Sequence, residues 1–294
     1  MYSNHRQIVR MDKVVNDTYR IARVKTVKLL DSLQYYFYDL FKREDLFKSV
    51  DKYCMFIGYT RSGHSLVGSL LDAHPNIVIS HELNALRLFE KGASARKVYY
   101  FILKNSQRQA AAGRQETGYS YQVPGQWQGR YKDLKVIGDK KGSHSNLVFR
   151  TNPEILNILQ RAIAAPIKFI HVTRNPYDNI ATMITKKKAD LNYGIMSYFR
   201  KCKTVNNLKQ QISERDILDV RHEAIIDDPK TSLNELCHFL GVEAPKDYLE
   251  DCASIVFKSP QKSRFKVQWS EQSIERVKNG IDQFEFLKGY SYED

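Results

Sequence analysis

A short apolar run that ends in glycine restricts the fold of this chain more than any other feature. Tyr53–Gly58 is continuously apolar, as strands buried on both faces of a parallel sheet are. A helical pattern follows, with Leu66 to Leu71 on one face, and His74-Pro75 ends it. A second apolar run, Asn76–Ser80, comes next. The order strand, loop, helix, strand predicts a βαβ unit.

The rest of the chain repeats this alternation. Further strands are predicted at Leu134–Gly138, Ile167–Val172 and Ile217–Val220, and helices at Pro153–Ala164 and Ser232–Leu240, the latter closed by Gly241. The pattern predicts an α/β fold, a three-layer, P-loop-like domain with a mainly parallel central sheet flanked by helices. Residues 90–130 contain one helical stretch and then a segment rich in Gly, Gln and Tyr, which we interpret as a mobile loop or lid near the acceptor site.

The ends of the chain suggest two parts. Residues 1–50 are amphipathic and helical in pattern, and we expect this segment to pack on a single domain at 51–294; a membrane-surface helix is the alternative. No stretch reaches the roughly 18 apolar residues of a membrane span, and no signal peptide is visible, so a cytoplasmic protein is expected. The four cysteines lack metal-ligand spacing, so free thiols and no metal are expected.

The net charge of +13 narrows the ligand classes. Such a surplus suits a polyanionic ligand, a nucleic acid or an anionic membrane, although it also occurs simply as a contribution to solubility. No basic-aromatic nucleic-acid motif is present, so nucleic acid is not expected as a partner.

Polar clusters follow the predicted strands. They are Arg61–Ser65, His81-Glu82, Asp139-Lys140 and Arg174-Asn175. In open parallel sheets, ligands bind beyond the carboxyl ends of the strands. These four clusters therefore predict one site.

The loop Thr60–Ser65 has the composition of a phosphate-binding turn. Gly63 allows a tight turn, the N–H groups at the following helix start can wrap a phosphate, and Arg61 adds a cation. An ordinary strand-to-helix turn is the alternative. The pattern G-x-x-x-x-G-K-[ST] is absent, which disfavours a Mg²⁺-ATP kinase or ATPase.

Several motifs together resemble the sulfotransferases, over roughly residues 53–290. Thr60-Arg61-Ser62-Gly63-His64-Ser65-Leu66 is similar to their 5′-phosphosulfate loop, and Leu71-Asp72-Ala73-His74-Pro75 with Glu82 is similar to the carbohydrate and tyrosylprotein branches. Arg174-Asn175-Pro176-Tyr177-Asp178, with Thr182 on the next helix, resembles the family's second element. Two further matches are Phe239–Val242 and the basic stretch Lys258–Arg264 before Trp269.

The resemblance implies the donor 3′-phosphoadenosine 5′-phosphosulfate (PAPS), the product PAP and transfer of a sulfuryl group. It implies that Arg61 binds the phosphosulfate and stabilises charge on the leaving oxygen, and that Arg174 and Thr182 bind the 3′-phosphate. The other cofactor-binding residues implied are the rest of the loop and the late basic stretch: Ser62, Gly63, His64, Ser65, Leu66, Lys262, Ser263 and Arg264.

A general base is expected, because the acceptor hydroxyl loses a proton as it attacks. By resemblance Glu82 is the first candidate and His81 the second; strand alternation predicts that only one of them faces the site. A structural salt bridge from Glu82 to Arg61 or Arg87 is the alternative. Lys140 resembles a family lysine near the transferring sulfuryl group, and a solvated pair with Lys141 is its alternative.

Three positions depart from the pattern or carry no predicted chemistry. His64 replaces a small hydroxyl residue, so it makes either an imidazole contact to the phosphate or none. His222-Glu223 stands where many relatives have Tyr-Glu, a position that we expect to be peripheral, with Glu223 structural. Tyr177, Asp178 and the run Lys186–Lys188 are expected on a solvated helix face.

The expected function is transfer of a sulfuryl group from PAPS to a hydroxyl, or to an N-hydroxyl or amine, of a small-molecule acceptor. A bacterial natural product such as a polar alkaloid is one possibility. The alternatives are a glycan or protein-tyrosine sulfotransferase and, from another class, a non-catalytic nucleotide- or polyanion-binding protein. The oligomeric state is left open.

Overall fold

The structure is a computed structural model that describes residues 29–36, 39, 46–116 and 118–294. The chain divides into two compact units, residues 1–46 and residues 47–294. In the first unit, residues 29–36 are helical, and most of the predicted N-terminal segment lies outside the described residues. Its packing on the main domain stays a prediction.

The second unit is built on a parallel sheet with the strand order β2-β5-β1-β6-β7. The prediction of an α/β fold with a parallel central sheet is confirmed. All five predicted strands are present, two of them extended by one residue and three shifted by one or two residues. The bounds of these strands are β1 Lys52–Ile57, β2 Ile77–His81, β5 Val136–Lys140, β6 Ile167–Thr173 and β7 Ile217–Arg221.

Helices cover both faces of this sheet. Pro176 and Pro229 stand in the first turns of two helices, where the missing N–H is not needed, and Asn175 and Asp228 cap the same helices through Tyr177 N and Thr231 N. The helices are α1 His64–Asp72, α2 Ala85–Glu90, α3 Ala95–Ala111, α4 Gly142–Thr151, α5 Ile155–Ala162, α6 Pro176–Lys187, α7 Leu191–Lys209, α8 His222–Asp227, α9 Pro229–Leu240, α10 Lys246–Ser254 and α11 Glu271–Ile281. Short 3₁₀ turns lie at Glu214–Asp216, Ser263–Lys266 and Glu285–Leu287.

Two apolar clusters hold these layers together. Cys54 and Phe56 of β1 point into a buried cluster with α1, α9 and α10. A second cluster, which includes Tyr59 just after β1, lies among α6, α7 and α11. The start of α6 and the loop after β1 are therefore fixed by packing, which positions the polar groups that they carry. The four cysteines are free and buried.

The middle region follows its prediction in part. The predicted helical stretch is present as the long helix α3, and the Gly-, Gln- and Tyr-rich residues after it contain an unpredicted two-stranded hairpin of β3 Gln115–Glu116 and β4 Tyr119–Ser120. Arg114 makes a buried ion pair with Asp72 at the end of α1, a long-range partner that composition could not reveal. Helix α4 was not predicted. No helix in the described part of the chain has both the length and the apolar character to cross a membrane.

Candidate active site

The predicted polar clusters meet at one cavity of about 670 Å³ beyond the carboxyl ends of the strands. The lining comes from the loop after β1, the ends of β2 and β5, Arg174 after β6, the second half of α6, helix α8, the hairpin and the stretch 257–266. Among the described residues that line it, five are Lys or Arg and one, Glu82, is a carboxylate. The cavity is therefore built for an anion.

The loop after β1 presents backbone donors to this cavity. Gly63 has φ +96°, a conformation that side chains disfavour, and Arg61 also has a positive φ of 71°. The amides of Gly63, His64 and Ser65 have no protein acceptor among the described residues. They lie at the N-terminus of α1, where the helix dipole also favours negative charge. This arrangement suits a phosphate or sulfate group.

Buried contacts hold the loop in shape. The Ser62 hydroxyl lies 3.2 Å from the carbonyl of Tyr59 and 3.1 Å from Nδ1 of His64. With its amide oriented to satisfy both neighbours, buried Asn179 donates to Thr60 O (3.0 Å) and accepts from Ser62 N (3.2 Å). The Ser62 amide is therefore used within the protein, whereas the sequence analysis had assigned it to the phosphate.

His64 lies inside the site and is neutral. Burial, with a smaller contribution from Lys140, lowers the pKa of His64 to about 3. Its Nδ1 contacts Ser62, and the residue also lines the cavity. The histidine at position 64 thus contributes both to the packing inside the loop and to the wall of the cavity.

Arg174 at the end of β6 is a buried cation with neutral partners. Nη1 donates to Arg61 O and Thr182 Oγ1 (both 3.4 Å), and Nη2 donates to Gln261 O (2.5 Å) and Ser263 Oγ (3.4 Å). Its Nε is buried with no partner, and no carboxylate of the described residues forms an ion pair with it. Burial lowers the pKa of Arg174. A buried guanidinium without a carboxylate is costly unless an anion joins it.

The late basic stretch divides into two roles. Ser263 lines the cavity beside Arg174, whereas Lys262 is exposed and is not part of the wall. Arg264 is buried, its backbone N–H donates to Asp178 Oδ1 (2.8 Å), and its guanidinium lies 3.6 Å from Asp178 Oδ2. Arg264 therefore stabilises the fold at this place. The prediction that Tyr177 and Asp178 form a solvated face is wrong, because both are buried.

A second cluster forms where β2 and β5 end. The register places His81 opposite Lys140, and the buried Lys140 ammonium contacts Glu82, His81 and Ser65. Lys141 contacts the other oxygen of Glu82. The alternatives of a solvated Lys140-Lys141 pair and of an Arg61 or Arg87 bridge to Glu82 are therefore wrong.

Both His81 and Glu82 line the cavity, contrary to the alternation argument. The strand ends at His81, and Glu82 has φ +58°, so period-two alternation no longer applies. Buried Asp139 stabilises this turn, since its carboxylate accepts from Leu83 N (3.1 Å) and Ala85 N (2.8 Å). Burial tends to raise the pKa of Glu82, but Lys140 and Lys141 lower it to about 2.

Several site residues were missed or misplaced by the sequence analysis. His222 lines the cavity, and its ring packs so closely on Gly63 that a Cβ there would lie 2.2 Å from Nδ1. Lys186 is exposed, as expected of the run Lys186–Lys188, and it also lines the cavity. The Tyr119 and Phe257 rings meet edge-to-face at 5.4 Å on its wall. The His-Glu dipeptide before Asp228-Pro229 was the available signal for His222. No sequence motif indicated that Tyr119 would lie in the site.

A five-stranded parallel sheet with a phosphate-type loop after its central strand defines a P-loop-like α/β protein with a site for a polyanion. The sulfotransferase family model, described as "Sulfotransferase family", matches residues 55–246, more than half of the chain. The chain belongs to the sulfotransferase family. No curated protein matches it in sequence.

Solved structures agree on the fold. The chain is similar to the sulfotransferase domain of the Synechococcus PCC 7002 olefin synthase (16% identity, TM-score 0.50, covering 79% of this chain and 95% of that one). It is similar to the sulfotransferase domain of the curacin biosynthetic pathway (14%, 0.50, 79% and 97%). It is also similar to the sulfotransferase STF9 of Mycobacterium avium (11%, 0.50, 86% and 82%). At these identities the likeness concerns the fold alone.

Proposed function

We propose that this protein transfers a sulfuryl group from PAPS to a hydroxyl, or to an N-hydroxyl or amine, of a small-molecule acceptor. The observation that carries the proposal is Arg174, a buried guanidinium whose hydrogen-bond partners are all neutral, with an unpartnered Nε. Such a group fits a ligand phosphate, which a guanidinium binds through two parallel hydrogen bonds.

The residues present fit a donor with two separated anionic groups. The amides of Gly63, His64 and Ser65 suit its 5′-phosphosulfate, and Arg174 with Thr182 suits its 3′-phosphate. The two positions adjoin, because Arg174 also donates to the carbonyl of Arg61 on the same loop. Bound PAPS supplies an activated sulfuryl group on a good leaving group.

The chain's own groups then orient the reactants and move one proton. Arg61 and Lys140 stabilise negative charge where the bond to the 5′-phosphate breaks. Ser65, whose Oγ lies 3.1 Å from Lys140 Nζ, lines the same part of the cavity. Glu82 takes the proton from the acceptor atom, which attacks sulfur in line with the bond that breaks.

The acceptor proposed is a small molecule, and a bacterial natural product such as a polar alkaloid is among the candidates. Glycan and protein-tyrosine acceptors are the alternatives, and an acceptor panel that contains all three classes decides among them. The proposed role of the protein as an enzyme also competes with that of a nucleotide-binding module without turnover.

Thermal unfolding with and without PAP tests the proposal. PAP should raise Tm, and Arg61→Ala or Arg174→Ala should remove most of the shift, because each deletes a cation from one anion position. ATP serves as the comparison ligand, since it lacks a 3′-phosphate. No shift at millimolar PAP refutes the proposal. A shift without conversion of PAPS to PAP across the acceptor panel supports the binding module instead.

A further inference from the structure

The Lys140 ammonium joins the phosphosulfate loop to the candidate base. It is buried and lies 2.8 Å from Oε1 of Glu82, 3.1 Å from Oγ of Ser65 and 3.3 Å from Nε2 of His81. An ammonium has three N–H donors and accepts no hydrogen bond. Each of these contacts can therefore receive an N–H from Lys140.

These contacts orient the groups around Lys140. Nε2 of His81 faces Lys140, which it contacts at 3.3 Å. The Ser65 oxygen accepts from Lys140, so the Ser65 hydroxyl proton is directed elsewhere. One ring nitrogen of His81 is thus turned to Lys140, and Glu82 stays the first candidate for the base.

Glu82, however, is held by two lysines in the protein without ligand. Lys140 contacts Oε1 and Lys141 contacts Oε2. A carboxylate paired with two ammonium groups is a poor proton acceptor, since protonation breaks both ion pairs. A base of this strength is far from the best match for an acceptor hydroxyl near neutral pH.

We propose that donor binding draws Lys140 away from Glu82 and that this exchange of partner makes Glu82 the general base. Lys141 keeps Glu82 in position during the exchange. The inference rests on the proposed function. Lys140 already contacts Ser65 on the loop, so a side-chain rotation brings its ammonium to the donor's phosphosulfate. Lys141 follows β5 directly, with a side chain 24% exposed, and it retains Oε2.

The chemical step then balances. Oε1 of Glu82, released by Lys140, takes the acceptor's proton as the acceptor atom forms its bond to sulfur. The bond between sulfur and the bridging oxygen breaks, and its electron pair stays on the 5′-phosphate of PAP. The new negative charge lies beside Arg61 and Lys140. The exchange also predicts that the acceptor is activated only after the donor has bound.

A double-mutant cycle on PAP affinity tests the exchange without any acceptor. Calorimetry compares the wild type, Glu82→Gln, Lys140→Met and the double variant. If Glu82 competes with the ligand for Lys140, Glu82→Gln should tighten PAP binding about fivefold when Lys140 is present, and less than about twofold in the Lys140→Met background. Equal tightening in both backgrounds indicates plain charge repulsion and overturns the exchange, as does no tightening.

The role of Lys141 has its own readout. Lys141→Met should leave the PAP dissociation constant within about twofold of the wild type, and should lower kcat much more than it changes KM for PAPS, with Lys141→Arg restoring kcat. The matched control is Lys187→Met, an exposed lysine outside the cavity, which should change neither. An unchanged kcat in Lys141→Met refutes its assignment. If wild-type protein fails to bind PAP, the proposed function itself fails; if it binds and the cycle shows no coupling, only the exchange fails.

Discussion

Two buried arginines on neighbouring elements should respond in opposite ways to the same substitution. Arg264 is paired with the buried carboxylate of Asp178, whereas Arg174 has only neutral partners. Breaking a buried ion pair costs about 3–5 kcal/mol, because it leaves a charge uncompensated. Removing an unpaired buried cation relieves its desolvation and loses only hydrogen bonds to neutral groups.

The expected magnitudes follow from these contacts. Arg264→Gln should lower Tm of the ligand-free protein by about 10 °C, at roughly 2–4 °C per kcal/mol for a domain of this size. Arg174→Gln should change Tm by less than about 3 °C. Its PAP dissociation constant should nevertheless rise about 100-fold, because two charge-assisted hydrogen bonds together contribute ~3 kcal/mol or more.

Differential scanning calorimetry and titration calorimetry on the two variants make the comparison. Equal losses of Tm in Arg174→Gln and Arg264→Gln would show that Arg174 is a structural group like Arg264. An unchanged PAP affinity in Arg174→Gln would show that its guanidinium does not meet the ligand. Either result refutes the interpretation of Arg174 as an anion site.

Two further predictions concern the loop after β1 and the His222 ring that packs on it. Gly63→Ala should abolish the PAP-induced rise in Tm and destabilise the free protein, since φ is +96° and the new Cβ would lie 2.2 Å from the His222 ring. Adding His222→Ala should recover the part of the Tm loss that is due to the clash. No recovery in the double variant would contradict the clash. Burial lowers the pKa of His64 and of His222 to about 3, with smaller contributions from Lys140 at His64 and from Arg174 at His222. In the unfolded chain a histidine has a pKa of about 6.5. Between about pH 3 and about pH 6.5 the folded protein therefore binds fewer protons than the unfolded chain, and its stability rises with pH. Tm should therefore fall as pH is lowered from 7 to 4.5, and His64→Gln or His222→Gln should make the slope shallower; identical slopes in both variants would argue against buried neutral rings.

Local patterns in the sequence sufficed for the features that are local in the fold. The apolar run Tyr53–Gly58 and the Gly63 turn lie within one segment, and the strand and the loop are where the sequence placed them. The same holds for Arg174, which follows β6 directly and reaches the cavity from there.

What the sequence could not show depends on which distant segments meet. The burial of Lys140 follows from the pairing of β2 with β5, and the pair of Asp178 with Arg264 joins residues 86 positions apart. The positive φ of Glu82 is stabilised by Asp139, so the orientation of Glu82 depends on a residue on another strand. For these positions alternation and motif spacing carry no information about neighbours.

A crystal structure of the protein with PAP tests the central claim most directly. The account predicts the 5′-phosphate on the amides of Gly63 to Ser65 and the 3′-phosphate on Arg174, with Nε of Arg174 at last partnered. It also predicts Lys140 Nζ closer to the 5′-phosphate than to Glu82. Density for PAP elsewhere, or a 3′-phosphate out of reach of Arg174, would contradict it.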